Sequence, residues 1–367
     1  MARIIILLIS ILSSIIFAGQ RGIWVVRNSL STQNDLEILQ QITRTLKLTD
    51  LYFQVRALGK DVIPQKTNSQ TVGLQDILRF CDQNNVRFHA WINTFYVWSL
   101  QSDPGDAWHT ILQDKQHRLT DAEMKLTTPN DLKKSGIEGY FVDPEATANL
   151  NQIKKLIKRL ISKFGIHGIH FDYFRLPPPP VHYSVFLRTK FLRNYFLDPA
   201  KLQIYRNEFS TFFGVPVYRR MDQRYQKFLQ NELTKSLNDL ANFVKSLDPD
   251  GVVSVAVKPD IHAAKNRYAQ DWPRWINDEI CDYVVMMNYA PDHNAFKKNL
   301  KMAKSIKRDK RIVAGIGAYY LDGLQISERM QEIERMGFNG YCLFSFTTLK
   351  DKPYLIRQLS MNSVFRN

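Results

Sequence analysis

The sequence predicts an α/β protein, a (β/α)8 barrel with long loops after strands three and four. Three observations predict it. Short runs rich in β-forming residues alternate with amphipathic helical segments along the chain. The runs are near-continuously apolar, as in parallel strands covered on both faces. Eight of them occur, and 367 residues hold such a barrel with room for insertions. The rival architecture is an open doubly wound sheet. Its usual mark, a phosphate-cradling G-x-G-x-x-G loop, is absent, and Gly315-x-Gly317 lacks the third glycine.

The elements follow in order. Met1–Gly19 reads Met-Ala-Arg, then an almost wholly apolar Ile4–Ala18 ending in small residues, which is the pattern of a secretory signal. The apolar run is short for a span of about 20 residues, so the mature form is expected to carry no stable membrane span. The barrel is assigned to residues 20–360 and to the cell envelope, periplasm or medium. An uncleaved N-terminal anchor is the alternative. The strands are Gly22–Val26, Asp50–Val55, Val86–Ile92, Gly168–Tyr173, Val252–Val257, Tyr283–Asn288, Ile312–Ala318 and Gly340–Phe346. Leu36–Leu46, Thr71–Gln83, Leu150–Phe164, Gln223–Leu247 and Ser327–Met336 repeat apolar residues at helical spacing. Thr94–Tyr140 and Arg175–Tyr218 exceed ordinary connections, and both follow strands. They therefore lie on the face where barrel active sites are built. Asp143-Pro144-Glu145 reads as a helix N-cap with proline at the first helical position.

Charge and cysteine content narrow the function. Fifty Lys and Arg against 35 Asp and Glu give a net charge of +15, which favours an acidic partner. Cys81, Cys281 and Cys342 are too few and scattered for a disulfide framework or zinc site and read as buried thiols. No metal or cofactor is expected, and no G-x-S-x-G elbow marks a serine hydrolase. An export signal without a nucleic-acid-binding motif argues against nucleic acid as partner.

The strand ends carry the chemistry. They present Trp24, Arg56, Asn93, Asp172-Tyr173-Phe174-Arg175, Lys258-Pro259-Asp260, Asn288-Tyr289 and Asp292. Aromatic faces stack on sugar rings, amides and cations bond hydroxyls or acidic groups, and carboxylates act as acid, base or nucleophile on a glycosidic bond. A carboxylate ending an apolar strand is costly unless it is used or paired, which makes Asp172 the first catalytic candidate. Pairing with Arg175 is its structural alternative. Asp260 and Asp292 are the candidate second carboxylates, Asp260 preferred because its strand adjoins that of Asp172. Either could instead cap the following helix. Trp24, Arg56, Asn93, Tyr173, Arg175, Lys258, Asn288 and Tyr289 are the candidate substrate-binding residues. His89 and His170 lie mid-strand and read as hydrogen-bonded core groups.

The string Gly168-Ile169-His170-Phe171-Asp172-Tyr173-Phe174-Arg175-Leu176-Pro177 resembles the strand-four signature of the glycosyl-hydrolase-like 10 family. Arg21–Val25, Gln54–Arg56, His89–Asn93, Phe141–Pro144, Asp282–Val285 with Asn288-Tyr289, and Gly340–Ser345 resemble its other blocks in the same order. The resemblance covers roughly residues 20 to 350 and implies a (β/α)8 barrel and an exported protein, some relatives acting on cell-wall glycan. Two positions depart from related patterns. Tyr173 follows Asp172 where the family often has a second acidic residue. Phe174 stands where the chitinase-like D-x-x-D-x-D-x-E pattern has its Glu, which disfavours substrate-assisted chemistry. The expectation is an exported glycoside hydrolase of a polysaccharide, with an anionic glycan favoured by the surplus positive charge. The alternative is a carbohydrate-binding barrel that has lost catalysis.

Overall fold

The structure, a computed structural model, describes residues 19–101 and 114–361. The signal assigned to Met1–Gly19 therefore lies, but for Gly19, outside the described residues. Eight parallel strands close on themselves: β1 Gln20–Val25, β2 Asp50–Ala57, β3 Arg87–Asn93, β4 Gly168–Asp172, β5 Val252–Val257, β6 Tyr283–Met286, β7 Ile312–Gly317 and β8 Gly340–Phe344. Closure is made by β1, which pairs with β8 (Gln20 opposite Gly340) and with β2 (Gly22 opposite Asp50). The approach at the seam is close. A Cβ on Gly340 would lie 2.0 Å from the Gln20 carbonyl oxygen, and its φ of +136° suits glycine.

Helices cover the outside. They are α1 Gln33–Leu46, α2 Leu74–Gln83, α3 Pro129–Lys134, α4 Thr147–Phe164, α5 Val185–Tyr195, α6 Pro199–Ile204, α7 Arg206–Phe213 and α8 Val215–Leu247. After β5 come α9 Ile261–Tyr268, α10 Trp272–Asn277, α11 His293–Lys304, α12 Gly323–Arg335, α13 Phe346–Asp351 and α14 Pro353–Met361. Local sequence sets their starts. Thr32 accepts the Asp35 amide while the Asp35 carboxylate accepts the Thr32 amide, so Thr-x-x-Asp closes a capping box at α1. Ile42, Leu39 and Leu46 of that helix are fully buried against the barrel wall.

The barrel interior is aromatic and polar. Trp24, Tyr52, Trp91, Tyr283, Val285, Val313 and Cys342 fill it. Asp50 lies at its N-terminal end, fully buried, and accepts two hydrogen bonds from Arg87 at 2.9 and 2.8 Å. The His89 ring bonds the same carboxylate at 2.8 Å. His89 and His170 are thus hydrogen-bonded core groups, and all three cysteines are buried free thiols.

The long connections behave differently from ordinary barrel loops. The first folds back as a hairpin, Tyr96–Ser99 against Gly139–Phe141. The second carries α5–α7 before the barrel helix α8. Asp143 is not the helix cap its sequence suggests, because α4 begins later, at Thr147 with Ala146 as N-cap. Its fully buried carboxylate instead joins three segments. It accepts from the Ser184 hydroxyl at 2.6 Å and the Glu145 amide at 2.9 Å, and bonds the His117 ring at 2.9 Å.

Candidate active site

A cleft of about 310 Å³ opens at the C-terminal ends of the strands. Seven of the sequence-derived candidates line it: Trp24, Asn93, Asp172, Tyr173, Arg175, Lys258 and Tyr289. Gln54, Trp91, Glu138, Ala256, Met287 and Phe344 complete the wall.

Asp172 is the last residue of β4 and faces Asn93 of β3 in register. It is 8% exposed. One carboxylate oxygen accepts the Tyr173 amide at 2.6 Å, and the other accepts the Trp91 indole N–H at 3.1 Å. Burial pushes its pKa above the ordinary carboxylate value, and this outweighs the Tyr173 amide, Arg175, the Trp91 N–H and Lys258, all of which favour the ionised form. The group is therefore biased toward holding a proton. The chain then turns sharply: Tyr173 has φ +50°, a left-handed conformation uncommon for a bulky side chain, and its ring stacks on Tyr96 at 4.6 Å between centroids.

Arg175 does not pair with Asp172. Its nearly buried guanidinium bonds Glu138 at 2.5 Å and lies 4.9 Å from the Tyr173 ring centre. Glu138 sits just before the second strand of the hairpin, so the loop after β3 supplies a second carboxylate to the cleft. Lys258 follows β5 directly. Its backbone is fixed on both sides, the amide by Gln270 at 2.8 Å and the carbonyl by the Trp272 indole at 3.1 Å. Its ammonium lies over the Tyr268 ring at 5.1 Å. Burial, then repulsion from Arg175, pull the Lys258 pKa down, with Glu138 and Asp172 opposing.

Aromatic rings make the opposite wall. Tyr289 stacks on Phe344 at 5.3 Å, and Trp24 meets both edge-on at about 6 Å. The Trp24 indole donates to His170 Nε2 at 3.4 Å, and the other ring nitrogen of His170 bonds Ser254 at 2.8 Å. Gln54 accepts from Arg27 at 3.0 Å and reaches Asn93 at 3.5 Å.

Four candidates lie outside the cleft, each for a local reason. Arg56 should face inward by strand alternation after Tyr52 and Gln54. The register slips between Gln54 and Arg56, and this bulge turns Arg56 outward. There, 1% exposed, it pairs with Asp61 at 3.0 Å and donates to Asn149 and Gln152 of α4 at 3.2 Å each. Asp260 caps α9 by accepting the Ala263 amide at 2.9 Å. Asp292 caps α11 by accepting the Ala295 amide at 2.7 Å. Asn288 is fully buried and ties the strand end to α11, donating to the Phe296 carbonyl at 3.0 Å and accepting from Asn299 at 2.8 Å. Sequence reasoning missed Glu138. Its signal was indirect: a buried Arg175 needs a carboxylate, and Asp172 was assigned elsewhere. Among the described residues no cluster of metal ligands occurs.

Among solved structures the chain is similar to the glycoside hydrolase domain of PgaB (BpsB) from Bordetella bronchiseptica. Identity is 16%, the match covers 94% of this chain and all of that one, and the TM-score is 0.67. It is also similar to the catalytic domain of a β-amylase from Paenibacillus polymyxa, at 12% identity over 90% and 93% of the two chains, TM-score 0.58. A class V chitinase from Pseudomonas fluorescens Pf-5 aligns at 12% identity over 94% of this chain and all of that one, TM-score 0.51. These likenesses show the barrel fold. A comparison with curated protein sequences gives no match. The family model for glycosyl hydrolase-like 10 matches residues 21–328, most of the chain and every strand of the barrel except β8. The chain belongs to the glycosyl hydrolase-like 10 family.

Proposed function

We propose that the chain is an exported glycoside hydrolase that cuts an anionic polysaccharide, with Asp172 and Glu138 as its carboxyl pair. The observation that carries the reading is Asp172 itself: a carboxyl at the end of β4, biased by burial toward the protonated form, in one cleft with a second carboxylate. A protonated carboxyl can donate to the departing glycosidic oxygen, which suits the acid role. Glu138, held by Arg175, takes the complementary role of base or nucleophile. The Trp24, Tyr289 and Phe344 rings offer faces for sugar stacking, and Asn93 and Gln54 offer amides for hydroxyls. Lys258 and the net charge of +15 support an acidic glycan. The apolar Ile4–Ala18 segment supports export. No helix among the described residues is long and apolar enough to cross a membrane.

The test is digestion of a glycan panel by the purified protein, with mass analysis of the products. Asp172→Asn and Glu138→Gln are expected to stay folded and to lose roughly 10²–10⁴ in turnover. Full activity in both variants overturns the pair. Tight glycan binding by the unaltered chain with no product from any glycan favours the binding-only barrel.

A further inference from the structure

The insertion after β4 ends in a bare apolar corner that the cleft does not use. Helix α7 meets the 33-residue α8 at Gly214, whose φ of +85° allows the chain to turn within one residue. The junction reads Phe212-Phe213-Gly214-Val215-Pro216-Val217, six residues without a charge or hydrogen-bonding side chain. Phe212 is 82% exposed and Phe213 62%. Val215 and Val217 are exposed as well. Phe213 packs one side of its ring on Phe209, 4.8 Å between centroids, and gives the rest to solvent. Phe212, more exposed still, stays in water at the expense of hydrophobic free energy.

Position and charge say what covers it. At 1.5 Å per residue α8 is about 50 Å long, nearly twice α4, an 18-residue barrel helix. Its C-terminal end leads into the bottom of β5, so its N-terminal half overhangs the opposite face, where the cleft opens. The tip is ringed by cations. Arg206 lies 5.3 Å from the ring centre of Tyr218, and Arg219, Arg220 and Arg224 are exposed on the next turns. Residues 185–224 carry eight Lys or Arg against three Asp or Glu. A second copy would set one basic ring against another, which repels. A protruding apolar tip inside a basic ring instead matches the interface of an anionic lipid bilayer, where apolar side chains enter the acyl boundary and cations meet headgroups.

We propose that the Phe212–Val217 corner inserts into anionic phospholipid membrane and seats the barrel there, the overhanging tip on the side of the cleft mouth. The proposal does not depend on which bond the cleft cuts. It is tested by co-sedimentation of the full chain with phosphatidylcholine vesicles, with and without phosphatidylglycerol. Phe212→Ser/Phe213→Ser and Arg219→Gln/Arg220→Gln are compared in the same chain, so that the N-terminal apolar segment contributes equally to all. All four side chains are exposed, and circular dichroism melts check that the fold is kept. The unaltered protein is expected to sediment with the anionic vesicles at low salt. The phenylalanine variant should lose about tenfold or more in partition. The arginine variant should lose about fivefold per cation, on anionic vesicles only. Equal partition of the unaltered and phenylalanine-substituted proteins overturns the proposal. So does a dimer in sedimentation velocity that the phenylalanine substitutions dissociate, since a second copy would then cover the corner.

Discussion

Replacing Trp91 with phenylalanine tests the assignment of Asp172 without touching the carboxyl. The Trp91 N–H donates to Asp172 at 3.1 Å, both side chains being buried in the cleft wall, and this bond favours the ionised carboxylate. Phenylalanine keeps an aromatic wall and removes the donor. A hydrogen bond to a charged group contributes about 1.5–3 kcal/mol, and one pKa unit corresponds to about 1.4 kcal/mol. The Asp172 pKa should therefore rise by about one to two units. With Asp172 as the acid, activity falls as it loses its proton, so the alkaline limb of the kcat/KM profile should move up by that amount. Were Asp172 the base or nucleophile, the acid limb would move up instead, so the same experiment assigns the role. The assay is the pH profile of glycan cleavage, with carbon NMR titration of the Asp172 carboxyl as a direct check. An active Trp91→Phe variant in which neither limb moves refutes the reasoning.

Three further outcomes follow from the geometry. Asp260→Ala and Asp292→Ala each remove a helix cap and should lower stability by about 1 kcal/mol while leaving kcat unchanged; denaturant midpoints and turnover read this together. Burial raises the Asp50 carboxyl, but bonds from His89 and then Arg87 prevail and hold it at about 2. A depressed pKa stabilises the fold above the unfolded value near 4 and ceases to do so as pH falls through about 2. Urea titrations over that window should show a loss of about 2 kcal/mol that Asp50→Asn flattens. Lys258→Met should raise KM about tenfold for a carboxylated glycan and leave it unchanged for the same glycan with its carboxyls reduced to alcohols.

The barrel was legible because strands covered on both faces have little freedom in composition. Val252–Val257 and Ile312–Gly317 admit only apolar or very small residues besides Ser254, and that restriction survives without any knowledge of neighbours. Asp172 was legible for the converse reason: a carboxyl at the end of such a strand contradicts its surroundings. The errors arose where a local rule and a tertiary one compete. Arg56 obeys strand alternation in sequence, but a one-residue bulge reverses its side. Asp260 and Asp292 follow strand ends, where the start of a helix and the rim of a cleft fall on the same few residues, and capping wins in both. Glu138 sits in a hairpin with no periodicity. Its partner Arg175 lies 37 residues away, so only the fold brings the pair together.

Strand β4 shows why this chain reads Gly-x-His-x-Asp there. Side chains along a strand alternate, so residues 168, 170 and 172 all point into the barrel, one above another. At the lowest level a Cβ on Gly168 would lie 2.5 Å from both His89 Nδ1 and the Phe88 carbonyl oxygen. Glycine is what lets His89 reach Asp50. At the middle level burial, and then His89, push the His170 pKa well down, so the ring stays neutral. A neutral imidazole has one acceptor nitrogen and one donor. The Trp24 N–H takes the acceptor, which leaves the proton on Nδ1 facing Ser254. The ring thereby orients the indole that walls the cleft, and a charged imidazole could not accept that bond. At the top level Asp172 receives Trp91 in the same manner, indole N–H to acceptor. Two tryptophans of the cleft are thus aimed by two consecutive inward residues of one strand. The apolar Ile169 and Phe171 between them point outward and are fully buried. The motif is a stack of one steric and two polar constraints threaded between two apolar residues, and the spacing of two residues is the pleat itself.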